Sequence, residues 1–238
     1  MLYKTKAVIL HTIKYADNSA VLQAYTEEAG TQSFLLRHLT DKRTRQLFPL
    51  LGHLSLVEIV AYESRTGLHT IKEIHALHRF RTLQHNVVKQ TILIFLNEVV
   101  KKTLQKMDAD APLFFFIEQS ICQLDAEEDN YQNFHLYFLL HYARYLGFAP
   151  TDDYSEARPI FNLKEGRFLE ATANNYLFSL SESQSYIVSL LLKGESVKSQ
   201  ITKSLRVEML DSLLLFYNVH LPDFGKMQSL EILHTVFG

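Results

Sequence analysis

Arg37, Lys42, Arg43 and Arg45 place four fixed positive charges within nine residues, beside a single acid, Asp41. A guanidinium can hold a phosphate through two parallel N–H donors, and a lysine ammonium adds a compact point charge. The run therefore suits a phosphate backbone, in a chain whose formal net charge is only -2. Lys4, Lys6 and Lys14 precede it at even spacings, so an unbroken strand turns all three to one side and extends the patch. The plainer reading is a solvated charged loop. Tyr3, Tyr15, Tyr25, Phe34 and Phe48 could stack bases beside it, and each suits a core position equally well.

The elements that must carry these residues follow from periodicity. Residues 3–13, 20–26 and 31–37 alternate like strands and are broken at Ala16-Asp17-Asn18-Ser19 and Glu27-Glu28-Ala29-Gly30. Residues 54–63 and 69–77 supply a fourth and a fifth strand, separated by Arg65-Thr66-Gly67. Five strands with short connections predict a closed OB-type β-barrel over residues 1–79, with the basic run between its third and fourth strands. From Phe80 the apolar spacing changes to three and four, which predicts an all-α domain over residues 80–238. Its helices fall at 87–105, from Pro112 through Cys122, at 134–146 before Gly147, and at about 182–193, 202–219 and 227–235. Residues 151–180 are irregular, with a small hairpin turning at Gly166. The fold class is α+β.

Composition narrows the chemistry. A 238-residue chain that is 47% hydrophobic can bury a sizeable core, and its 21% charged fraction argues against disorder. Residues 1–80 hold ten Lys/Arg against seven Asp/Glu, whereas the remainder holds fourteen against nineteen. No Lys or Arg occurs from Met107 through Ala143, so the two parts suit different partners. The single cysteine, Cys122, excludes an intrachain disulfide and a Cys-rich zinc site, and it reads as an inert thiol within a helix. The N-terminus lacks the apolar segment of a signal peptide, and the longest apolar runs fall short of the roughly 18 residues of a membrane span. These features predict a soluble, cytoplasmic protein without a membrane partner.

Catalytic signatures are missing. The chain has no Gly-x-x-x-x-Gly-Lys-Ser/Thr loop, no Gly-x-Gly-x-x-Gly and no Gly-x-Ser-x-Gly elbow, and it contains only eight glycines. His69, His75, His78 and His85 lack the Cys, Asp or His-Glu-x-x-His context of a metal site and read as structural or surface groups. The acids at 125–129 read as decoration of an inter-helix loop. No catalytic residue, metal or cofactor is expected.

Several segments resemble the RecO family of bacterial recombination mediators. They are Tyr3-Lys4-Thr5-Lys6-Ala7-Val8-Ile9-Leu10, Tyr15-Ala16-Asp17-Asn18-Ser19, the Tyr25-to-Gly30 turn, the basic loop, and Leu50-Leu51 with the strand reaching Glu58. Leu146-Gly147-Phe148-Ala149-Pro150 and the hairpin from Phe161 to Phe168 are similar to that family's middle region. The resemblance implies an OB barrel and a helical domain that bind single- and double-stranded DNA and anneal complementary strands. It implies RecR and the C-terminal tail of single-strand-binding protein as partners, with the RecA recombinase loaded indirectly. Its DNA surface corresponds best to Arg37, Lys42, Arg43 and Arg45. A four-Cys zinc site found in many members has no counterpart, because residues 151–180 hold no Cys. Packing of Tyr154, Ile160, Phe161, Phe168 and Tyr176 is expected to hold that segment instead. The competing reading is a protein-interaction module whose basic loop meets an acidic partner rather than DNA.

Overall fold

Residues 1–41, 44, 46–105, 107–129, 131–171, 178–197 and 200–237 are described by a computed structural model. Two compact units divide the chain between Ala126 and Glu127.

The first unit is built on five strands: β1 (Leu2–Ala16), β2 (Ser19–Thr26), β3 (Gly30–Arg37), β4 (Leu56–Tyr62) and β5 (Leu68–Ala76). They close in the order β1-β2-β3-β5-β4, which leaves no open sheet edge in the barrel. All neighbours are antiparallel except β3 and β5, which run parallel through Ser33↔Leu68 to Leu35↔Thr70. The period of two sends Ala7, Ile9, Leu22, Phe34, Ile59 and Ile74 into the barrel core. Leu39, Leu47, Leu50 and Leu51 of the β3–β4 connection pack against that core. Phe48–Leu51 form a short 3-10 turn there, and Thr12 on β1 donates its hydroxyl to the Leu51 carbonyl at 3.0 Å.

Two helices complete this unit, α1 (Val87–Thr103) and α2 (Ala111–Ala126). The Asn86 side chain caps α1 by accepting from Lys89 N, and the Asp110 carboxylate accepts from Leu113 N at 2.9 Å in the first turn of α2. Helix α1 lies against β1, and its C-terminal end meets the β2–β3 turn. There Thr31 N donates to Met107 O at 3.0 Å, and the Thr31 hydroxyl donates to Leu104 O. Gly30 is demanded at this point, because its φ is +64 and an added Cβ would sit 2.2 Å from Met107 O.

The second unit holds α3 (Phe134–Tyr142), the hairpin β6 (Ile160–Asn162) and β7 (Arg167–Leu169), then α4 (Glu182–Leu192), α5 (Lys203–His220) and α6 (Leu230–Phe237). A 3-10 turn (Ala143–Leu146) extends α3 and stops at Gly147, whose φ is +89. Phe161 and Phe168 are fully buried, with ring centroids 5.0 Å apart, and Tyr154 meets Phe168 edge-on at 5.3 Å. Asp153 organises the same region: its carboxylate pairs with Arg158 and Arg167, each at 3.1 Å, and accepts from Phe168 N at 3.0 Å. Tyr176 lies outside the described residues. The barrel, the helical domain and the small hairpin expected from periodicity are all present.

Candidate nucleic-acid interface

Arg37 is the last residue of β3, and the chain turns sharply immediately after it. His38 takes a left-handed conformation, with φ of 62, which is uncommon outside glycine. The β1–β2 turn secures this corner. Asn18 O accepts from Leu39 N at 3.3 Å, while Asn18 Oδ1 accepts from Thr40 N at 2.8 Å and from the Thr40 hydroxyl at 3.0 Å. Parallel pairing of β3 with β5 then brings a second strand to the same end of the barrel. Arg37, His38, Asp41 and Thr44 line one side of a groove of ≈ 510 Å³, and Lys72, Glu73 and His75 line the other. Lys42, Arg43 and Arg45 lie outside the described residues.

Charges within the groove are unevenly matched. Glu73 accepts from Lys72 and from His75 Nε2, both at 3.3 Å. His75 first, and Lys72 second, hold the Glu73 carboxyl below the usual carboxylate range. Among the described residues Arg37 carries no ion pair and is exposed. The groove can therefore offer at least one uncommitted guanidinium to an anion. Lys72 and His75 carried no signal in the linear pattern, because only the β3–β5 pairing sets them beside Arg37.

The three lysines of β1 do not form one row. Ile9 pairs with Ala24 but His11 pairs with Gln23, so Leu10 is an extra residue, and a second slip falls between Lys14 and Ala16. A bulge reverses which side the following residues face. Lys4 and Lys6 stay outside the barrel, whereas Lys14 falls opposite Ala20, a core residue, on the inward side of the β1–β2 pair. The shared face expected from even spacing is thus corrected: it required an unbroken strand, and β1 is broken at Leu10. Lys4 pairs with Glu58 at 2.9 Å and Lys6 with Glu27 at 3.6 Å, both next to the β2–β3 turn. Lys6 and Lys14 are about 26 Å apart along an extended strand, which puts Lys14 at the end where Arg37 lies.

The aromatic candidates also separate. Tyr25 and Phe34 are 0% exposed and belong to the interior, and Tyr3 packs against the barrel core. Tyr15 is 68% exposed and Phe48 48% exposed.

The first unit also contains a buried polar latch. Asp125, at the end of α2, accepts from Arg81 N at 2.9 Å, Thr82 N at 2.8 Å and Leu83 N at 2.9 Å. Despite burial, which raises it, these backbone donors together pull the Asp125 carboxyl below its usual range. Lys89, buried on α1, donates to the Thr82 hydroxyl at 2.7 Å and to Asp125 O at 2.9 Å. The expectation that the acids at 125–129 only decorate a loop fails at Asp125, because three consecutive N–H groups of the segment after β5 converge on it. Burial, with Glu118 and Asp125 nearby, raises the Cys122 thiol, as suits an unreactive group. Among the described residues, no three His, Cys, Asp or Glu side chains are grouped to hold a metal ion, and no helix is long and apolar enough to cross a membrane.

Comparison with known proteins accounts for both parts of the chain. Residues 1–80 match the family model "Recombination protein O N terminal", and residues 84–230 match "Recombination protein O C terminal". The chain is 36% identical over 242 residues to the DNA repair protein RecO of Azobacteroides pseudotrichonymphae, with 100% of both chains covered. It is 34% identical to the proteins of the same name from Phocaeicola vulgatus and Flavobacterium johnsoniae, again over 100% of each chain. A five-stranded closed barrel followed by helices, matched along its length to both halves of one family, makes this chain a member of the RecO family of DNA repair proteins.

Proposed function

We propose that this chain is a non-enzymatic recombination mediator whose barrel, residues 1–79, holds DNA by its phosphate backbone at the Arg37 end. The observation that carries this reading is the meeting of Arg37, His38, Lys72 and His75 in one groove, at the start of a loop that adds Lys42, Arg43 and Arg45. Phosphate contacts of this kind give affinity without sequence choice. Such a protein binds single strands and duplexes, anneals complementary strands and helps load a recombinase onto DNA coated by single-strand-binding protein. RecR, the tail of single-strand-binding protein and, indirectly, RecA are its expected partners in the cytoplasm, with residues 80–238 receiving the tail. Membership of the RecO family supports this setting.

Binding of a labelled oligonucleotide tests the reading. Affinity should fall by about 0.7 log units per log unit of salt for each single-strand phosphate contacted. Replacing Arg37, Lys42, Arg43 and Arg45 together with Ala should reduce affinity for all sequences alike and flatten that slope. Unchanged affinity would remove the loop from the interface. The competing reading, an acidic protein partner at the same groove, predicts that an acidic peptide binds more tightly than the oligonucleotide at equal salt.

A further inference from the structure

Helix α2 turns one face to the core and leaves the other unpartnered. Leu113, Phe114, Ile117, Ile121 and Leu124 are buried, whereas Phe115 is 60% exposed and Gln119 is exposed as well. Glu118 and Gln119 follow Phe115 by three and four positions, so a carboxylate and an amide flank the bare ring on the helix surface. The start of the helix is moored beside the β2–β3 turn. The Tyr25 hydroxyl donates to Asp108 O at 3.2 Å and accepts from Asp110 N at 3.0 Å, and Thr31 N donates to Met107 O at 3.0 Å. Glu28 of that turn, Asp108 and Glu118 therefore share one end of the first unit, and among the described residues none of the three carries an ion pair.

The other end of the same unit carries the complementary charge. Strand β3 starts at Gly30, packed against Asp108, and finishes at Arg37, about 23 Å away by strand rise. Arg37 is exposed and opens a run with four cations in nine residues, whereas residues 107–143 hold no Lys or Arg. A bare ring beside a carboxylate suits a guanidinium, which can lie on the ring face while its edge bonds the carboxylate. One copy cannot bring the two surfaces together. The corner after Arg37 is pinned to the β1–β2 turn through Asn18, and the length of β3 holds Arg37 away from the start of α2.

We propose that the exposed face of α2, around Phe115 and Glu118, docks the Arg37 end of a second copy of this chain, so that copies join head to tail. The two surfaces differ, so the contact is heterologous. Each added copy leaves one α2 face and one Arg37 end free, and association continues into short chains. Arg37 is also the group assigned to the phosphate backbone, so a bound strand and a second copy compete for it. Self-association is measured without nucleic acid, and its failure leaves the DNA-binding reading standing.

Sedimentation velocity of the full chain is the test. At about 0.01 M salt, where charges act over about 30 Å, the mean sedimentation coefficient should rise with protein concentration. At about 1 M salt, where they act over about 3 Å, it should fall to that of a single copy. Glu118→Lys combined with Asp108→Lys should abolish the rise, and so should Arg37→Glu. Mixed in equal amounts, these two variants should form a dimer, because the Arg37→Glu copy keeps its acidic α2 face and the other copy keeps its Arg37 end. Phe115→Ala should weaken association by about 2- to 5-fold, with the urea midpoint unchanged because the ring is at the surface. A parent that stays a single copy at low salt, association undiminished by Glu118→Lys with Asp108→Lys, or a variant mixture that stays unassociated overturns the interface.

Discussion

The two units spend their polar groups differently. The first unit leaves Arg37, Lys72, His38 and His75 at the surface of a barrel whose rigidity comes from ladder hydrogen bonds and from the Asp125 latch. The second unit buries several polar groups beside aromatic rings. His135 on α3 is 0% exposed, Arg206 on α5 donates to Asn133 Oδ1 at 2.7 Å, and the buried Tyr217 hydroxyl donates to Leu139 O at 2.7 Å. Phe148, Phe216 and His220 crowd together beside them, with centroids 4.7–5.3 Å apart. Exposed cations on a stiff frame favour recognition of an anion that arrives from water. Polar groups locked inside an apolar core serve conformation instead, and they make that core sensitive to protonation.

Breaking the latch is the most damaging single change expected. Asp125→Ala removes the acceptor of three backbone N–H groups, at a cost of about 1–3 kcal/mol for each donor left without a partner. A urea titration should show it as a lower midpoint for the first unit. Because the Asp125 carboxyl is depressed in the folded state, its contribution is present above the usual carboxylate range and is lost as pH falls through its lower folded value.

Acid should separate the units next. Burial, with Arg206 and His234 adding to it, lowers His135 from 6.5 to about 3. The unfolded imidazole takes up its proton near 6.5 while the folded one stays neutral, so the unfolded state binds more protons in this window. Stability of the second unit is therefore full above 6.5 and declines as pH falls toward 3, by about 2 kcal/mol at pH 5. Hydrogen exchange should show α3 and α5 losing more protection between pH 7 and pH 5 than β1–β5, where burial also lowers His11 and His53 but less strongly than His135. Equal losses in both units would erase the contrast.

The smallest effects should come from the lysines at the far end of the barrel. Lys4→Ala and Lys6→Ala each remove an exposed ion pair worth about 0–1 kcal/mol. Each should weaken oligonucleotide binding less than Arg37→Ala does, measured at one salt concentration. An equal effect would extend the interface down β1.

Periodicity carried much of the architecture. The alternation in residues 3–13 and 31–37 and the spacing of Ile92, Phe95, Leu96 and Val99 directly reflect which side of a strand or helix meets the core. What periodicity could not carry was register. A bulge adds one residue without changing the alternation of residue types around it, so Lys14 reads as coplanar with Lys4 and Lys6 until its partner across the ladder is known. Tyr25 and Tyr15 are similar in the same way: both are strand tyrosines. One is sealed by the segment after α1, and the other stands in solvent.

By itself, then, the sequence determined the class of fold, the basic run after β3, the family and the lack of catalytic signatures, because these rest on residue type and local spacing. The tertiary structure alone decided which cations share a groove. Arg37 and Lys72 are 35 positions apart and meet only through the parallel β3–β5 pairing. It also decided that Asp125 is a buried acceptor and that the start of α2 adjoins the opposite end of β3 from Arg37. These depend on contacts between distant segments, whose geometry is set by chain closure and packing rather than by any local pattern.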